Sequence, residues 1–245
     1  MKKILIIGAA SAIATETAIC FAREGASLFL SDISESRLAA TRDHIFAHYQ
    51  IEIKYLPLDL TQFDQHQRLF DEAVGALDGL DSILIAHGTL PDQLKSQSSA
   101  EAVLREFTIN CTSVISLLTI ASNYFESKNE GCIAAISSVA GDRGRGSNYI
   151  YGSAKGAVSL FMQGLRSRFS RTNIKIITIK PGFVDTPMTS HLPKNFLFAS
   201  AKAVGEGIYE AMSKGKEIAY TPSWWRLIMF FVKHIPESIF KKLKF

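Results

Sequence analysis

The chain has 245 residues, of which 47% are hydrophobic and 20% are charged. This length and composition suit one α/β domain with a large buried core, so we treat residues 1–245 as a single cytosolic domain. The net charge of +4 is too small to indicate binding to nucleic acid. Cys20, Cys111 and Cys132 are odd in number and widely spaced. Their spacing predicts no metal site and favours reduced thiols in the core.

The N-terminus combines an apolar strand, a turn of small residues and a helix. Lys3 to Ile7 is predicted to be a buried strand, and residues 8–14 form the turn that leads into the helix. Small residues allow the backbone to approach a pyrophosphate, and a helix N-terminus supplies unbonded N–H groups. The sequence therefore predicts a dinucleotide site here. Its predicted contacts are Gly8, Ser11 and Ile13.

A second interpretation of the same segment is a secretory signal. Two lysines, an apolar run and Ala12-Ile-Ala14 resemble the parts of such a signal and its cleavage site. Cleavage there would delete the first strand and the phosphate loop, and the strands that follow would lack their beginning. We therefore favour the strand.

Two acidic residues follow the next predicted strands. Asp32 ends the apolar strand of residues 26–30 and is placed to bind the hydroxyls of the adenosine ribose. The 2′-phosphate of NADP(H) would meet a like charge there, and residues 8–14 contain no Arg or Lys, so NAD(H) is predicted over NADP(H). Asp59 follows the third strand. It is predicted either to meet the adenine amino group or to cap the turn before Thr61.

Further apolar strands alternate with helical stretches along the rest of the chain. They are residues 51–56, 82–86, 132–137 and 174–179. This alternation, with short connections and no internal repeat, predicts a doubly wound parallel sheet, the Rossmann fold. Ligands of such sheets bind at the carboxyl ends of the strands.

Tyr151 and Lys155 are four residues apart, which places them on one face of a helix. An isolated phenol titrates near pH ~10, and a neighbouring cation stabilises its ionised form. The spacing therefore predicts that Lys155 lowers the pKa of Tyr151 and prepares it for acid–base catalysis.

Three further motifs extend this pair. Ser138 lies in Ile136-Ser-Ser-Val-Ala-Gly141, Asn110 lies in Phe107-Thr-Ile-Asn-Cys-Thr112, and residues 180–188 read Lys-Pro-Gly-Phe-Val-Asp-Thr-Pro-Met. With these motifs in this order, the chain resembles the short-chain dehydrogenase/reductase superfamily over nearly its whole length. The resemblance implies a ketone or alcohol oxidoreductase whose catalytic residues are Ser138, Tyr151, Lys155 and Asn110.

The same resemblance implies a role for each of these residues. Ser138 binds the carbonyl oxygen and Tyr151 donates the proton. Lys155 holds the nicotinamide ribose, and Asn110 orders a water that relays protons to Lys155. The remaining implied cofactor contacts are Ala86, Gly88, Pro181, Gly182, Val184 and Thr186, together with Tyr151 and Lys155. No metal is implied.

The chain departs from the family pattern at two places. The phosphate loop keeps Gly8 but has Ala12 and Ala14 where the family has glycines, and the methyl group of Ala12 is expected to crowd the pyrophosphate. The segment Ile85-Ala-His-Gly88 replaces an Asn-rich segment. We expect His87 to pack as a neutral side chain near the nicotinamide pocket. A noncatalytic NAD(H)-binding sensor therefore stays an alternative.

The C-terminal half resembles the subgroup of decaprenylphosphoryl-2-keto-ribose reductases. Residues 137–153 and 226–242 carry this resemblance. It implies an NADH-dependent reduction of a lipid-linked 2-keto pentose beside a partner flavin oxidase. Other substrates remain alternatives, such as β-ketoacyl groups, steroids or sugar alcohols. Arg143 and Arg145 are predicted either to hold a substrate phosphate or to be solvated, and residues 189–200 to form a mobile lid.

Residues 222–245 form an apolar and basic tail. The apolar stretch between Pro222 and Pro236 is too short to cross a hydrocarbon layer of ~30 Å. Beyond it, Ile239, Phe240 and Leu243 are predicted to share a helical face surrounded by Lys241, Lys242 and Lys244, as in helices that bind anionic membranes. The alternative is contact with a sibling subunit of a homodimer or homotetramer. The predicted location is the cytoplasm, at the inner face of the membrane.

Overall fold

The computed structural model describes residues 2–243. Its strands are β1 (Lys3–Ile7), β2 (Ser27–Asp32), β3 (Ile53–Pro57), β4 (Ser82–Ile85), β5 (Glu130–Ile136), β6 (Asn173–Pro181), β7 (Val184–Asp185), β8 (Ala199–Ser200) and β9 (Ile218–Thr221). Its α-helices are α1 (Ala12–Arg23), α2 (Glu35–Tyr49), α3 (His66–Leu77), α4 (Gln93–Ser96), α5 (Ala100–Phe107), α6 (Ser113–Lys128), α7 (Tyr149–Arg168), α8 (Ala201–Lys214), α9 (Trp225–His234) and α10 (Glu237–Phe240).

Seven strands form one parallel sheet in the order β3-β2-β1-β4-β5-β6-β9. The order reverses between β1 and β4, and ligands of doubly wound sheets bind at such a reversal. The predicted doubly wound parallel sheet is confirmed. Strand β9 was not predicted, because its four residues are only half buried and show no continuous apolar run.

Helices cover both faces of the sheet and bury two separate cores. Along β1, Leu5 and Ile7 point into the core beneath α3, α6 and α7, whereas Ile4 and Ile6 point into the core beneath α1, α2 and α8. Side chains alternate along a strand, so a strand covered on both faces must be apolar at every position. This explains the unbroken apolar run from Ile4 to Ile7.

The helical stretch Ala100–Lys128 is long and apolar enough to cross a membrane by length and composition alone. This criterion is weak, because core helices also meet it. Val114, Leu118 and Phe125 on this stretch pack in the core beneath the sheet. We therefore describe it as a core helix, interrupted by one π-helical turn at Thr108–Thr112.

The tail packs on the domain through part of its surface. Trp225 and Met229 of α9 are buried together with Val139. Phe240 is also buried, whereas Ile239 and Leu243 are exposed. The predicted common helical face of Ile239, Phe240 and Leu243 is not formed, because α10 ends at Phe240 and the Phe240 side chain packs inward. Lys244 lies outside the described residues.

Candidate active site

A cleft of about 1970 Å³ opens at the carboxyl ends of the central strands. It brings together residues that are far apart in the sequence. The predicted residues that line it are Gly8, Ser11, Ile13, Asp32, Asp59, Ala86, Gly88, Ser138, Tyr151, Lys155, Pro181, Gly182, Val184 and Thr186. Asn110 is fully buried and lies behind Gly88 rather than in the wall of the cleft.

The turn after β1 is held tightly against its neighbours. Gly8 has a φ of +78°, and a Cβ added there would lie 2.5 Å from the backbone nitrogen of His87. Only glycine suits this conformation and this close approach. The Ser11 hydroxyl caps α1 by accepting a hydrogen bond from Ala14 N at 3.3 Å.

The N-terminus of α1 fits an anionic group. The N–H groups of Ala12 and Ile13 precede the first hydrogen bond within α1, and both residues line the cleft. Unbonded N–H groups at a helix N-terminus bind phosphates. The missing family glycines therefore leave the phosphate-binding donors in place.

Asp32 and Arg37 lie side by side at the adenosine end of the cleft. The Asp32 carboxylate accepts hydrogen bonds from Ala10 N at 3.2 Å and from Ser34 N at 3.4 Å. The Arg37 guanidinium donates to Ala10 O at 2.6 Å and also lines the cleft. The predicted preference for NAD(H) considered only residues 8–14, which contain no Arg or Lys. Arg37 lies outside that segment and was not taken into account.

Asp59 fits both of its predicted roles. Its Oδ1 accepts hydrogen bonds from the backbone nitrogen of Thr61 at 2.9 Å and from the Thr61 hydroxyl at 2.8 Å. The turn-forming role is therefore observed. Asp59 also lines the cleft, where it is placed to meet a ligand.

Tyr151 and Lys155 lie on α7 as predicted, but their titration differs from the prediction. Burial raises the pKa of Tyr151 to about 12, and the hydrogen bond with Ser138 only partly offsets this shift. The Lys155 Nζ lies 5.8 Å from the centre of the Tyr151 ring. At this separation the predicted lowering of the Tyr151 pKa does not occur, because loss of hydration outweighs the attraction to the cation.

Lys155 is held by the end of the neighbouring strand. Its Nζ donates to Ile136 O at 3.1 Å, and burial lowers its pKa to about 8. Its backbone oxygen accepts a hydrogen bond from the Ser137 hydroxyl at 2.8 Å. Ser137, which sequence reasoning did not single out, therefore ties β5 to α7 beside the reactive pair.

A 3₁₀ turn at Val139–Asp142 positions Ser138 against Tyr151. The Ser138 hydroxyl accepts a hydrogen bond from Ala140 N at 3.1 Å and is hydrogen-bonded to Tyr151. A Cβ added at Gly141 would lie 2.7 Å from Gly156 N, so this turn lies directly on α7. The serine and the tyrosine meet because two glycines allow the two backbones to touch.

Asn110 lies in the π-helical turn between α5 and α6. Its Oδ1 accepts a hydrogen bond from Thr89 N at 3.0 Å. Its Nδ2 donates to the Thr89 hydroxyl at 2.9 Å and to Glu106 Oε2 at 3.2 Å. Sequence reasoning missed Thr89 and Glu106. The position of Glu106, four residues before Asn110 on a predicted helix, was the available signal.

His87 packs as a neutral residue, as expected. Burial is the main cause that lowers its pKa to about 3, and the nearby charge of Lys155 adds to the effect. Its Nε2 is 2.7 Å from the Ser113 hydroxyl, which itself donates to Ile109 O. His87 Nε2 therefore carries the proton, and the ring takes no further proton at neutral pH.

The two arginines before Tyr151 have different environments. Arg143 donates to the backbone oxygens of Val232, Lys233 and Ile235 and pairs with Glu237 at 2.8 Å. Arg143 therefore holds the tail, and neither of its predicted roles is correct. Arg145 lines the cleft, and within residues 2–243 its guanidinium makes no hydrogen bond or ion pair. Burial lowers its pKa.

The segment predicted to form a lid borders the substrate end of the cleft. His191, Leu192 and Asn195 line the cleft, and Phe196 is 90% exposed. The short pair of strands β7 and β8 flanks this segment on both sides.

Two expectations concern cysteine and metal. Cys20, Cys111 and Cys132 are free and buried, as predicted. Across the described part of the chain, no group of three His, Cys, Asp or Glu side chains is placed to hold a metal ion.

Comparison with known proteins gives consistent matches. The short chain dehydrogenase family model matches residues 2–196. An uncharacterized oxidoreductase of Streptomyces coelicolor is 26% identical over 242 residues, covering 99% of this chain and 96% of the relative. A 3-oxoacyl-[acyl-carrier-protein] reductase of Thermotoga maritima is 28% identical over 200 residues, covering 79% and 78% of the two chains. The crystal structure of levodione reductase superposes with a TM-score of 0.83 at 20% identity, covering 92% of this chain and 98% of the other.

Proposed function

Because this chain belongs to the short-chain dehydrogenase/reductase family, we propose that it reduces a ketone to a secondary alcohol with NADH. Members of the family are NAD(P)-dependent oxidoreductases that act on ketones and alcohols, and this chain shares that activity class. The observation that supports the chemistry is the pairing of Tyr151 with Ser138 beside Lys155 in the wall of the cleft. A noncatalytic sensor would not need this set of groups.

We assign the proton-donor role to Tyr151. With a pKa of about 12, its phenol keeps its proton at neutral pH, which is the form that an acid catalyst needs. Ser138 binds the same carbonyl oxygen and stabilises the negative charge that develops on it. The bound nicotinamide supplies the hydride when NADH is present. The reverse oxidation uses the same residues.

Lys155 and Asn110 complete the proposed catalytic set. Lys155 is 3% exposed and faces the cleft, where its ammonium group can donate to the nicotinamide ribose. Asn110 is fully buried, and its Oδ1 borders Gly88 as the Lys155 Nζ does. We propose that it orders a water through which a proton returns to Tyr151 by way of Lys155.

The remaining cofactor contacts follow from the order of residues along the cleft. Ala12 and Ile13 present their N–H groups to the pyrophosphate, and Asp32 binds the adenosine ribose, which favours NADH over NADPH. Arg37 beside Asp32 reduces this preference, because its guanidinium can meet a 2′-phosphate. The other proposed contacts are Gly8, Ser11, Asp59, Ala86, Gly88, Pro181, Gly182, Val184 and Thr186.

We propose that the substrate carries an anionic group. Arg145 is a cation in the cleft wall that lacks a protein partner within the described residues. A partly buried guanidinium gains more from a charge-assisted bond to a phosphate than from water. A polyprenyl-phosphate-linked 2-keto pentose, made by a partner oxidase, agrees with this cation and with the resemblance of residues 137–153 and 226–242.

We also propose that the tail brings the enzyme to the inner face of a membrane. Leu227, Phe230 and Phe231 on α9 are each more than half exposed. Lys241 and Lys242 follow close behind in the chain. Exposed apolar side chains next to lysines favour anionic lipid surfaces. A homodimer or homotetramer that covers the same side chains is the alternative.

The deciding experiment is an NADH consumption assay on keto forms of prenyl-phosphate pentoses, with simple cyclic ketones as uncharged controls. We expect faster turnover of the phosphate-bearing ketones. Turnover of the cyclic ketones alone would overturn the proposed substrate class but keep the reductase. An absence of turnover on both, with NADH bound, would overturn the reductase itself.

A further inference from the structure

Glu106 is a buried acidic residue next to the proposed catalytic set. Glu106 is 7% exposed, and its carboxylate makes no ion pair within residues 2–243. Instead, its Oε2 accepts a hydrogen bond from the Thr89 hydroxyl at 2.5 Å and one from Asn110 Nδ2 at 3.2 Å. Burying an acidic group among neutral partners is costly. An apolar side chain at residue 106 could not accept these two hydrogen bonds.

The hydrogen bonds allow only one orientation of the Asn110 side-chain amide. Thr89 N can only donate, so the Asn110 atom that faces it must be the oxygen Oδ1. The Thr89 hydroxyl gives its proton to Glu106 and accepts from Asn110 Nδ2. A rotated amide would place its oxygen against Glu106 and its NH₂ group against Thr89 N. Glu106 and Thr89 N therefore together determine which end of the amide faces Thr89 and Gly88.

The amide oxygen and Lys155 flank the same point in space. A Cβ added to Gly88 would lie 2.7 Å from Asn110 Oδ1 and 3.1 Å from Lys155 Nζ. Glycine at residue 88 leaves this space open, and both an acceptor and a donor border it. The orientation of Asn110 thus decides whether Lys155 has an acceptor across this gap.

We propose that Glu106 is a positioning residue that holds the Asn110 amide oxygen toward Lys155, with Thr89 as the connecting group. This inference rests on the proposed reductase function, in which Asn110 supports proton return to Lys155. Glu106 touches neither substrate nor cofactor. In this proposal its effect on turnover passes through Asn110, to which it is bonded directly and by way of Thr89.

This dependence can be tested with a double-mutant cycle. Glu106→Leu removes the acceptor, and Glu106→Gln keeps one in nearly the same place. In the otherwise unchanged enzyme, we expect Glu106→Leu to lower kcat at least tenfold with the KM for NADH changed less than threefold, and Glu106→Gln to retain a third or more of kcat. In an Asn110→Ala background, Glu106→Leu should change kcat less than twofold, because the group that it positions is gone.

The opposite results overturn the inference. A full tenfold loss in the Asn110→Ala background would show that Glu106 acts independently of Asn110. Equal losses in the Gln and Leu variants would show that the acceptor is not what matters. If Glu106→Leu does not fold, Glu106→Asp replaces it in the same cycle, because the shorter side chain keeps the charge but moves the acceptor away from Asn110 Nδ2.

A second readout does not depend on turnover, so it separates this inference from the proposed function. The side-chain NH₂ signals of Asn110, assigned by their loss in Asn110→Ala, should exchange slowly with solvent in the NMR spectrum of the unmutated protein. We expect at least tenfold faster exchange in Glu106→Leu but not in Glu106→Gln. Unchanged exchange in Glu106→Leu would refute the positioning role even if the enzyme acted on no ketone tested.

Discussion

At the scale of single residues, burial decides the protonation of the two central groups. Tyr151 has a pKa of about 12 and Lys155 a pKa of about 8. Both shifts have the same cause, because loss of hydration disfavours the charged form of each group. At neutral pH the phenol is therefore uncharged, and the lysine keeps its proton by a margin of about one pH unit.

The first prediction concerns Tyr151→Phe. The variant keeps the aromatic ring and removes only the proton that the mechanism transfers. Loss of a positioned acid costs about 10²–10⁴-fold in rate, so kcat should fall at least a hundredfold while the Kd for NADH changes less than threefold. Steady-state kinetics and fluorescence titration measure the two quantities. A rate within about tenfold of the unmutated enzyme would contradict the assignment of Tyr151.

The second prediction concerns pH. The folded pKa of Lys155 is lowered from an ordinary value of 10.5 to about 8. Between these values the unfolded chain binds more protons, so Lys155 makes the free energy of unfolding rise with pH across this window. The ammonium group is lost as pH rises through about 8, which would weaken the charge-assisted bond that we propose to the cofactor ribose.

We therefore expect the Kd for NADH to rise about fivefold, or ~1 kcal/mol, between pH 7 and pH 9.5. Fluorescence titration of NADH at a series of pH values measures this change. Lys155→Met is the control, and its weaker binding should be independent of pH in this range. The same pH dependence in Lys155→Met would assign the titration to another group.

At the scale of elements, two neighbouring arginines act on different parts of the molecule. Arg143 joins the loop after Ser138 to the C-terminal ends of α9 and α10, and its guanidinium stacks 4.1 Å from the centre of the Phe240 ring. Trp225 packs directly on Gly182, where an added Cβ would lie 1.8 Å from the indole nitrogen. The tail is therefore part of the wall behind the cleft and not a detachable appendage.

The third prediction uses these two arginines as matched variants. Arg145→Ala should raise the KM for a phosphate-bearing ketone at least tenfold and leave the KM for an uncharged cyclic ketone within twofold, because only the first substrate needs the cation. Its free energy of unfolding should change little. Arg143→Ala should lower the free energy of unfolding by about 1–3 kcal/mol, because the partly buried backbone oxygens of Val232 and Ile235 lose their donor.

Steady-state kinetics on both substrates and urea denaturation check this prediction. An Arg145→Ala variant that loses stability instead of affinity would place the residue in the structural role. An Arg143→Ala variant with unchanged stability and a raised KM for the phosphate-bearing ketone would assign substrate binding to Arg143 instead of Arg145.

At the scale of the whole molecule, the tail presents an exposed apolar side formed by Leu227, Phe230 and Phe231. Deleting the residues after Pro222 is a poor test of this surface, because Trp225, Met229 and Phe240 are buried and their loss would open the core. Substitutions confined to exposed side chains separate membrane binding from folding.

The fourth prediction replaces Leu227, Phe230 and Phe231 together with serine. Each lost apolar side chain removes about 1.5–3 kcal/mol of the burial free energy available at a lipid surface, so sedimentation with anionic liposomes should fall at least tenfold. The matched control is Leu104→Ser, an exposed apolar residue on α5. If sedimentation is unchanged but the oligomer dissociates in analytical ultracentrifugation, the surface is a subunit contact.

The sequence by itself determined the parallel α/β sheet, the glycine at the turn after β1, and the presence of Ser138, Tyr151 and Lys155 in one cleft. The sheet, the glycine turn and the pairing of Tyr151 with Lys155 follow from patterns within a few residues: apolar runs, small residues and the four-residue spacing on a helix. The place of Ser138 beside them was implied by the family resemblance of its motif. Strand β9 carries no such pattern, since its position depends on pairing with β6.

Only the tertiary structure decided the direction of the Tyr151 pKa shift, the separate roles of Arg143 and Arg145, and the position of Glu106 behind Asn110. The role of a charged side chain cannot be read from its place in the sequence, because the free energy of its charged form depends on hydration and on partners from distant segments of the chain. Arg143 meets the chain again at Val232 and Ile235, some ninety residues later. Nothing in the local sequence distinguishes Arg143 from Arg145, and only the folded structure shows that Arg143 is the one with protein partners.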